Sequence, residues 1–375
     1  MNATSLIHAD DHIESACDVA PPIHMSTTYA YTSDNKVQSA IYSRLSVPTI
    51  ERCEAVLHTL LQGSVTVTYA SGLSAIMALL CHLHPAQIFL ERAEHGGYHG
   101  TLGVAGIISR LNGMKVHHLD TLDTVTPGKG DVIWLETPLN PTGEVTDIAH
   151  YVEIAKKHGA VVCVDSTFAP PPLQNPFEQG ADWVMHSATK YFGGHSDLLA
   201  GVIAARPGLG DAESLKEHLI DDRENLGTAM SGQTAWLLLR SLRTFKMRIE
   251  RQVANGAIVA ARMAELVKEG KLQKVVHGSL QEAEGAAFVK KQMPGGYSPT
   301  FAIYLKNEKQ ASTFPNKLKL FHHATSLGGV ESLAEWRTMS DSQCDRTLVR
   351  LSIGVEDAGD LVADIEQALV QVSSL

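Results

Sequence analysis

Ser187-Ala188-Thr189-Lys190-Tyr191-Phe192-Gly193-Gly194-His195-Ser196-Asp197 follows the short apolar run Trp183-Val184-Met185 and precedes another, Gly201 to Ala204. Two apolar runs around a small polar loop read as strand, loop, strand, with one lysine at the mouth of the sheet. A lysine desolvated at the end of a buried strand loses its proton more readily. It then becomes an amine nucleophile that can form an imine with a carbonyl. The hydroxyls of Ser187 and Thr189 suit a nearby phosphate. A solvated lysine in a polar loop is the plain alternative, and the surrounding pattern decides between them.

Outward from this stretch, apolar runs recur at Gln87 to Leu90, Lys115 to Leu119, Asp131 to Leu135 and Ala160 to Val164, with helical stretches between several of them. Such alternation predicts an α/β fold with a mostly parallel sheet covered on both faces. Before it, Ile50, Cys53, Leu57 and Leu60-Leu61 repeat with helical spacing. Val65 to Tyr69 then alternates as a strand, and a second helix runs from Leu73 to Leu83. Residues 1–50, broken by Pro21-Pro22 and the Ser33-Asp34-Asn35 turn signal, read as an irregular extended arm. Gln233 to Glu269 predicts one or two long helices, followed by strands at Phe301 to Leu305 and Leu348 to Ile353 and a closing helix from Leu361 to Val370. The expected division is an arm over 1–50, a larger domain over 51–235 and a smaller α/β domain over 236–375.

Composition narrows the function. The 31 basic and 41 acidic side chains give a formal charge of −10, which disfavours a nucleic-acid partner. No apolar run reaches the length of a membrane span, and Asp10, Asp11 and Glu14 stand where a targeting segment would be basic, so a soluble cytoplasmic protein is expected. The five cysteines (Cys17, Cys53, Cys81, Cys163, Cys344) lie far apart with no CxxC pair. They read as reduced thiols rather than a disulfide framework or a zinc site. No metal is expected, since there is no HExxH and the His117-His118 and His322-His323 pairs lack companion ligands.

In a parallel α/β sheet ligands collect at the carboxyl ends of strands, and several polar residues stand there. Asp165 ends the run from Ala160 to Val164, where a carboxylate needs a cationic or hydrogen-bonded partner. A protonated pyridine nitrogen would serve, as would the cap of a turn with Ser166 and Thr167. Ser71-Gly72-Leu73-Ser74 leaves a strand and opens a helix, so its free N–H groups suit a phosphate, or simply a helix cap. An aldehyde for Lys190, a phosphate and a pyridine ring occur together in pyridoxal 5'-phosphate (PLP). Asn140, in a turn fixed by Pro138 and Pro141, could face the ring hydroxyl or merely complete the turn. Tyr98 could lie on the ring and relay a proton, or have no such role on its glycine-rich loop. Arg350, inside the apolar run Leu348 to Ile353, needs a buried anion: a substrate carboxylate or a structural Asp or Glu.

Ala20-Pro21-Pro22-Ile23, Tyr42-Ser43-Arg44, Ala70-Ser71-Gly72-Leu73, Glu136-Thr137-Pro138, Val164-Asp165, His186 to Lys190 with Gly194-His195-Ser196-Asp197, Ser326 to Leu333 and Leu348 to Asp357 stand in order along nearly the whole chain. In this the sequence resembles the Cys/Met-metabolism family of PLP-dependent enzymes, which includes cystathionine γ-synthase, the cystathionine lyases, methionine γ-lyase and O-acetylhomoserine sulfhydrylase. The resemblance implies the aspartate-aminotransferase-like fold, fold type I. It implies that Lys190 binds the cofactor aldehyde, Asp165 pairs with the pyridine nitrogen, Gly72, Leu73, Ser187 and Thr189 hold the phosphate and Tyr98 stacks on the ring. Ser71 and Asn140 join the expected cofactor contacts on the residue reading above. Tyr42 and Arg44 would reach the phosphate of a neighbouring subunit in a homotetramer built as a dimer of dimers. Ser326 and Arg350 would hold the substrate α-carboxylate, and Thr325 would contact the substrate farther out.

Departures from the family pattern concern the substrate. Ile41, Gly103 and Thr325 stand where cystathionine enzymes tend to carry charge, so a less charged distal pocket is expected. Val47, Ser166, Gly193 and Trp336-Arg337 replace usual residues without touching the expected catalytic set. The resemblance then implies γ-replacement on an O-acyl-L-homoserine by a small nucleophile, through a vinylglycine-type intermediate, in the manner of cystathionine γ-synthase. A γ- or β-lyase acting on cystathionine or methionine is the alternative, and a PLP-binding assembly partner with low turnover is a reading of another class.

Overall fold

The computed structural model describes residues 2–13, 18–38, 40–92 and 94–375. Glu14 and Cys17 of the sequence readings lie outside the described residues. Strands β1 (Val65–Tyr69), β2 (Gln87–Leu90), β3 (Lys115–His118), β4 (Val132–Glu136), β5 (Val161–Asp165), β6 (Trp183–Ser187) and β7 (Gly201–Ala205) form a seven-stranded sheet in the order β1-β7-β6-β5-β4-β2-β3. The pairings from β3 through β6 are parallel, and β7 runs against both its neighbours.

Each of these strands is short and apolar on both faces because helices cover both sides. Along β4 and β5 the side chains alternate. Trp134 and Cys163 pack with Ala75, Ile76 and Leu79 of α3 (Gly72–Leu83) and Val104 and Ile108 of α4 (His99–Asn112). On the other face Ile133, Leu135, Val162 and Val164 meet Ile148, Val152 and Ala155 of α5 (Ile148–His158). Local signals set the helix ends. Ser71 and Asp147 cap α3 and α5 by accepting from the backbone N–H three residues on. Gly113 and Gly159 end α4 and α5 at φ +80° and +71°, a backbone that glycine adopts without strain.

The expected arm contains an element that the sequence reading left irregular: α1 (Ala3–His8), capped by Asn2, whose Oδ1 accepts from Thr4 N–H at 3.0 Å. Buried Leu6 joins the core with Ile50, Cys53 and Leu57 of α2 (Pro48–Leu61), and Asp10 is held by Arg52 and Arg243. Between the two helices the described residues form no helix or strand. Many apolar side chains there, among them Val19, Ile23, Met25, Tyr31 and Ile41, are exposed.

Beyond β7, α6 (Ala212–Asn225) packs on the large sheet. The predicted Gln233–Glu269 segment is two helices, α7 (Gly232–Leu242) and α8 (Phe245–Lys268). A second sheet of β8 (Lys274–Val276), β9 (Thr300–Tyr304), β10 (Leu333–Trp336) and β11 (Leu348–Ser352) is antiparallel in the order β10-β11-β9-β8. It packs against α8 and the closing helix Ala358–Val372 through Val259, Met263, Phe301, Val349, Leu361 and Ile365. β8 and β10 were not anticipated, because one is three residues long and the other carries Glu335 in its interior.

Candidate active site

The carboxyl ends of β1, β4, β5 and β6 open onto one cavity of about 350 Å³, within the range of small-molecule sites. Ser71, Gly72, Leu73, Tyr98, Asn140, Asp165, Ser187, Thr189 and Lys190 line it from the large sheet, and Thr325, Ser326 and Arg350 from the side of the small one. Of the residues expected at the site, Tyr42 and Arg44 stand apart. They lie on the exposed arm, with the Arg44 guanidinium 4.7 Å from the Tyr42 ring centroid and 3.7 Å from Glu224.

Lys190 is held by a loop that is closed on itself. Thr189 Oγ1 donates to Ala200 O and accepts from Ala200 N–H, so the hydroxyl expected to face a phosphate also fastens the loop. Lys190 Nζ donates to Ser326 Oγ at 2.9 Å. Burial lowers the Lys190 pKa to about 8, and the Arg350 charge pushes in the same direction. Ser326 sits at φ +84°, a conformation costly for a residue with a Cβ and one that clusters at functional sites.

Asp165 has one oxygen, Oδ1, satisfied by Thr167 N–H at 3.0 Å and Thr167 Oγ1 at 2.5 Å. No donor among the described residues meets the other oxygen. Glu136, to which the sequence reading gave no role, stands opposite Asp165 in the β4–β5 register and also lines the cavity. Its oxygens accept from Tyr98 N–H at 2.6 Å and Asn140 N–H at 3.2 Å, so it fixes two of the expected site loops. Burial raises both carboxyls above the usual carboxylate range, and Asp165 adds to the rise at Glu136. Burial, followed by these two carboxylates, also pushes the Tyr98 phenol up, which keeps it a proton donor.

These residues fit PLP. The N-terminus of α3 offers the free first-turn N–H groups of a twelve-residue helix to a phosphate. Gly72 keeps this turn close to β6, since a Cβ would come within 3.1 Å of Ser187 Cβ and Oγ and Ser187 would have to give way. The unmet oxygen of Asp165 suits a pyridinium N–H, and Lys190 is the amine for the aldehyde.

Two expectations change. Arg350 has found the structural partner that the sequence left open: Nη2 donates to Glu335 Oε2 at 2.7 Å, while Nη1 donates to Asn140 Oδ1 at 2.8 Å. Asn140 is thus bound to Arg350 as well as lining the cavity. Arg337, a departure expected only to leave the core catalytic set untouched, lines the cavity, so its wall is more charged than Ile41, Gly103 and Thr325 implied. The sequence does not single out Glu335, and it marks Arg337 only as a departure from the family pattern, with no role at the site. The signal lay in strand pairing, which puts Glu335 opposite Arg350.

A cavity built from a buried lysine, a helix N-terminus and an unmet carboxylate at the ends of parallel strands defines a PLP-dependent enzyme of fold type I. Comparison with known proteins agrees. The family described as "Cys/Met metabolism PLP-dependent enzyme" matches residues 3–370. L-methionine gamma-lyase of Pseudomonas putida is 32% identical, over 96% of this chain and 95% of that protein. Cystathionine gamma-synthase of Escherichia coli K12 is 34% identical, over 93% and 92%. The crystal structure of metB from Corynebacterium glutamicum superposes with a TM-score of 0.88 at 30% identity, covering 99% of this chain and 98% of that one. The chain therefore belongs to the Cys/Met-metabolism family of PLP-dependent enzymes, and it is an enzyme of the transsulfuration type.

Proposed function

We propose that this enzyme catalyses γ-replacement on an O-acyl-L-homoserine with a small thiol or carbon nucleophile, a transferase reaction. The observation that carries this reading concerns charge. Cystathionine bears a second ammonium at its far end, and the only carboxylates among the described lining residues, Glu136 and Asp165, sit at the strand ends. Glu335, beside the cavity residues Arg337 and Arg350, is already bound to both arginines. An acyl leaving group and a small nucleophile need no such partner.

PLP, when bound, supplies an aldehyde for amines and a ring that withdraws electrons from the substrate Cα. Asp165 holds the ring nitrogen protonated. Lys190, with its lowered pKa, is suited to take the α-proton and carry protons between Cα and Cβ. The Tyr98 hydroxyl is suited to protonate the leaving oxygen at Cγ. Arg350 and Ser326 would hold the α-carboxylate, Thr325 would border the distal part of the substrate, and Ser71, Gly72, Leu73, Ser187 and Thr189 would hold the phosphate. Tyr42 and Arg44, outside this chain's own cavity and beside exposed apolar residues of the arm, complete the phosphate site of a second copy in a homotetramer. No helix among the described residues is long and apolar enough to cross a membrane, and the cytoplasm is the proposed location.

The test is to supply O-acetylhomoserine, O-succinylhomoserine, cystathionine and methionine separately, with and without a thiol, and identify the products by mass. Thioether formed from an acylhomoserine supports the reading. Ammonia and 2-oxo acid released from cystathionine or methionine at an equal or greater rate, with no nucleophile added, would establish a lyase instead.

A further inference from the structure

The α-carboxylate site is not free. β10 and β11 pair with Glu335 opposite Arg350, and both side chains are only 4% exposed. Glu335 Oε2 accepts from Arg350 Nη2 at 2.7 Å and from Arg337 Nη1 at 3.1 Å. Arg350 Nη2 also donates to Ser326 O at 2.9 Å. Arg337 is 3% exposed and lines the cavity, yet its Nε has no partner. Two guanidiniums thus share one carboxylate, so one of their two buried charges has no carboxylate partner of its own among the described residues. Such a charge is costly without a counterion. The group is short of a single anion, and a substrate amino acid brings one in its α-carboxylate.

We propose that Glu335 is a placeholder on Arg350 that the substrate α-carboxylate displaces, and that Arg337 is the positioning residue that retains Glu335 when it is displaced. Before binding, one carboxylate bridges two cations. After binding, each guanidinium holds one carboxylate, so neither Glu335 nor Arg350 is left buried and unpaired. Arg337 makes the exchange feasible, because without it Glu335 would have no cation to move to. The placeholder also lowers apparent affinity by the fraction of time it occupies Arg350. A molecule lacking an α-carboxylate cannot displace it, so the device selects for amino acids. This inference rests on Arg350 being the α-carboxylate site, and the experiment separates the two claims.

The holoenzyme is titrated by calorimetry with L-2-aminobutyrate, an amino acid with no leaving group at Cγ. Removing the placeholder in E335Q is expected to tighten binding about tenfold, and R337M to weaken it about tenfold. The double variant E335Q/R337M should bind at least as tightly as the wild type, since the second change removes what the first had stranded. With an O-acylhomoserine that turns over, the R337M loss should fall on KM more than on kcat. A purely structural role predicts instead that both single variants weaken binding and the double is weaker still, which would overturn the exchange. If E335Q does not fold, the double variant carries the test, and weaker binding than wild type refutes the proposal. R350L serves as the control. Unchanged aminobutyrate binding in R350L would remove the α-carboxylate reading itself, whereas loss of binding there without tightening in E335Q would remove only the placeholder.

Discussion

Glu136 and Asp165 face each other across the carboxyl ends of β4 and β5, two carboxyl groups in register beneath one cavity. Burial and its neighbour raise the Glu136 pKa, so the folded protein holds that proton more tightly than the unfolded chain. The contribution to stability is complete at low pH. It is lost as pH rises from the ordinary carboxylate range, about 4.3, toward the raised folded value. In cofactor-free protein, Glu136→Gln should flatten this decline in melting temperature. It should also cost about 1–3 kcal/mol, because the amide can accept from Tyr98 N–H or Asn140 N–H but not both. A wild-type slope in the variant would mean that Glu136 titrates as an ordinary carboxylate.

Lys190 loses its proton near pH 8 because it is buried and faces Arg350. Capture of PLP by cofactor-free enzyme should therefore accelerate as pH rises through about 8. Arg350→Leu removes a repelling charge and should move this midpoint upward. Stopped-flow absorbance across pH 6–10 reads both, and a midpoint near that of free lysine, about 10.4, would refute the desolvated amine.

Gly201 begins β7 directly against the turn that opens α3. A Cβ there would come within 2.2 Å of Ser71 O and 2.9 Å of Ala75 Cβ. Gly201→Ala must push the helix start away, costing about 1–3 kcal/mol of stability, and PLP affinity should fall with it. Equilibrium dialysis showing wild-type PLP affinity would separate the α3 N-terminus from phosphate binding.

If Arg44 serves the site of a second copy, Arg44→Ala and Lys190→Ala should complement each other. Each inactive variant carries what the other lacks. Mixing them under subunit exchange should restore roughly a quarter of wild-type activity, because half of the dimers are hybrids with one intact site. Zero recovery despite demonstrated exchange would place Arg44 outside the shared site.

The large sheet was legible because parallel strands buried on both faces appear as uninterrupted apolar runs, and β1 and β2 have the predicted bounds. The site residues at its strand ends were legible for the same reason, since a charge that ends an apolar run stands out. What stayed hidden depends on contacts distant in sequence. Leu333-Ala334-Glu335-Trp336 gives no strand signal by itself, and Arg337 gains meaning only when β10 pairs with β11. The sequence placed Arg350 beside an anion but could not choose between protein and substrate. The observed network has a protein carboxylate there, Glu335. Helix α1 was missed because six residues are too few for periodicity to register.

Lys190 belongs to a loop closed by Thr189 and Ala200 between β6 and β7 of the seven-stranded sheet, while Arg350 is carried by the four-stranded one. Lys190 and Arg350 therefore ride on separate platforms joined through α7 and α8. The reach between them is a property of how those platforms lie, so substitutions far from the cavity, in the packing of α8, can retune which substrate lengths are accepted while every contacting side chain stays the same.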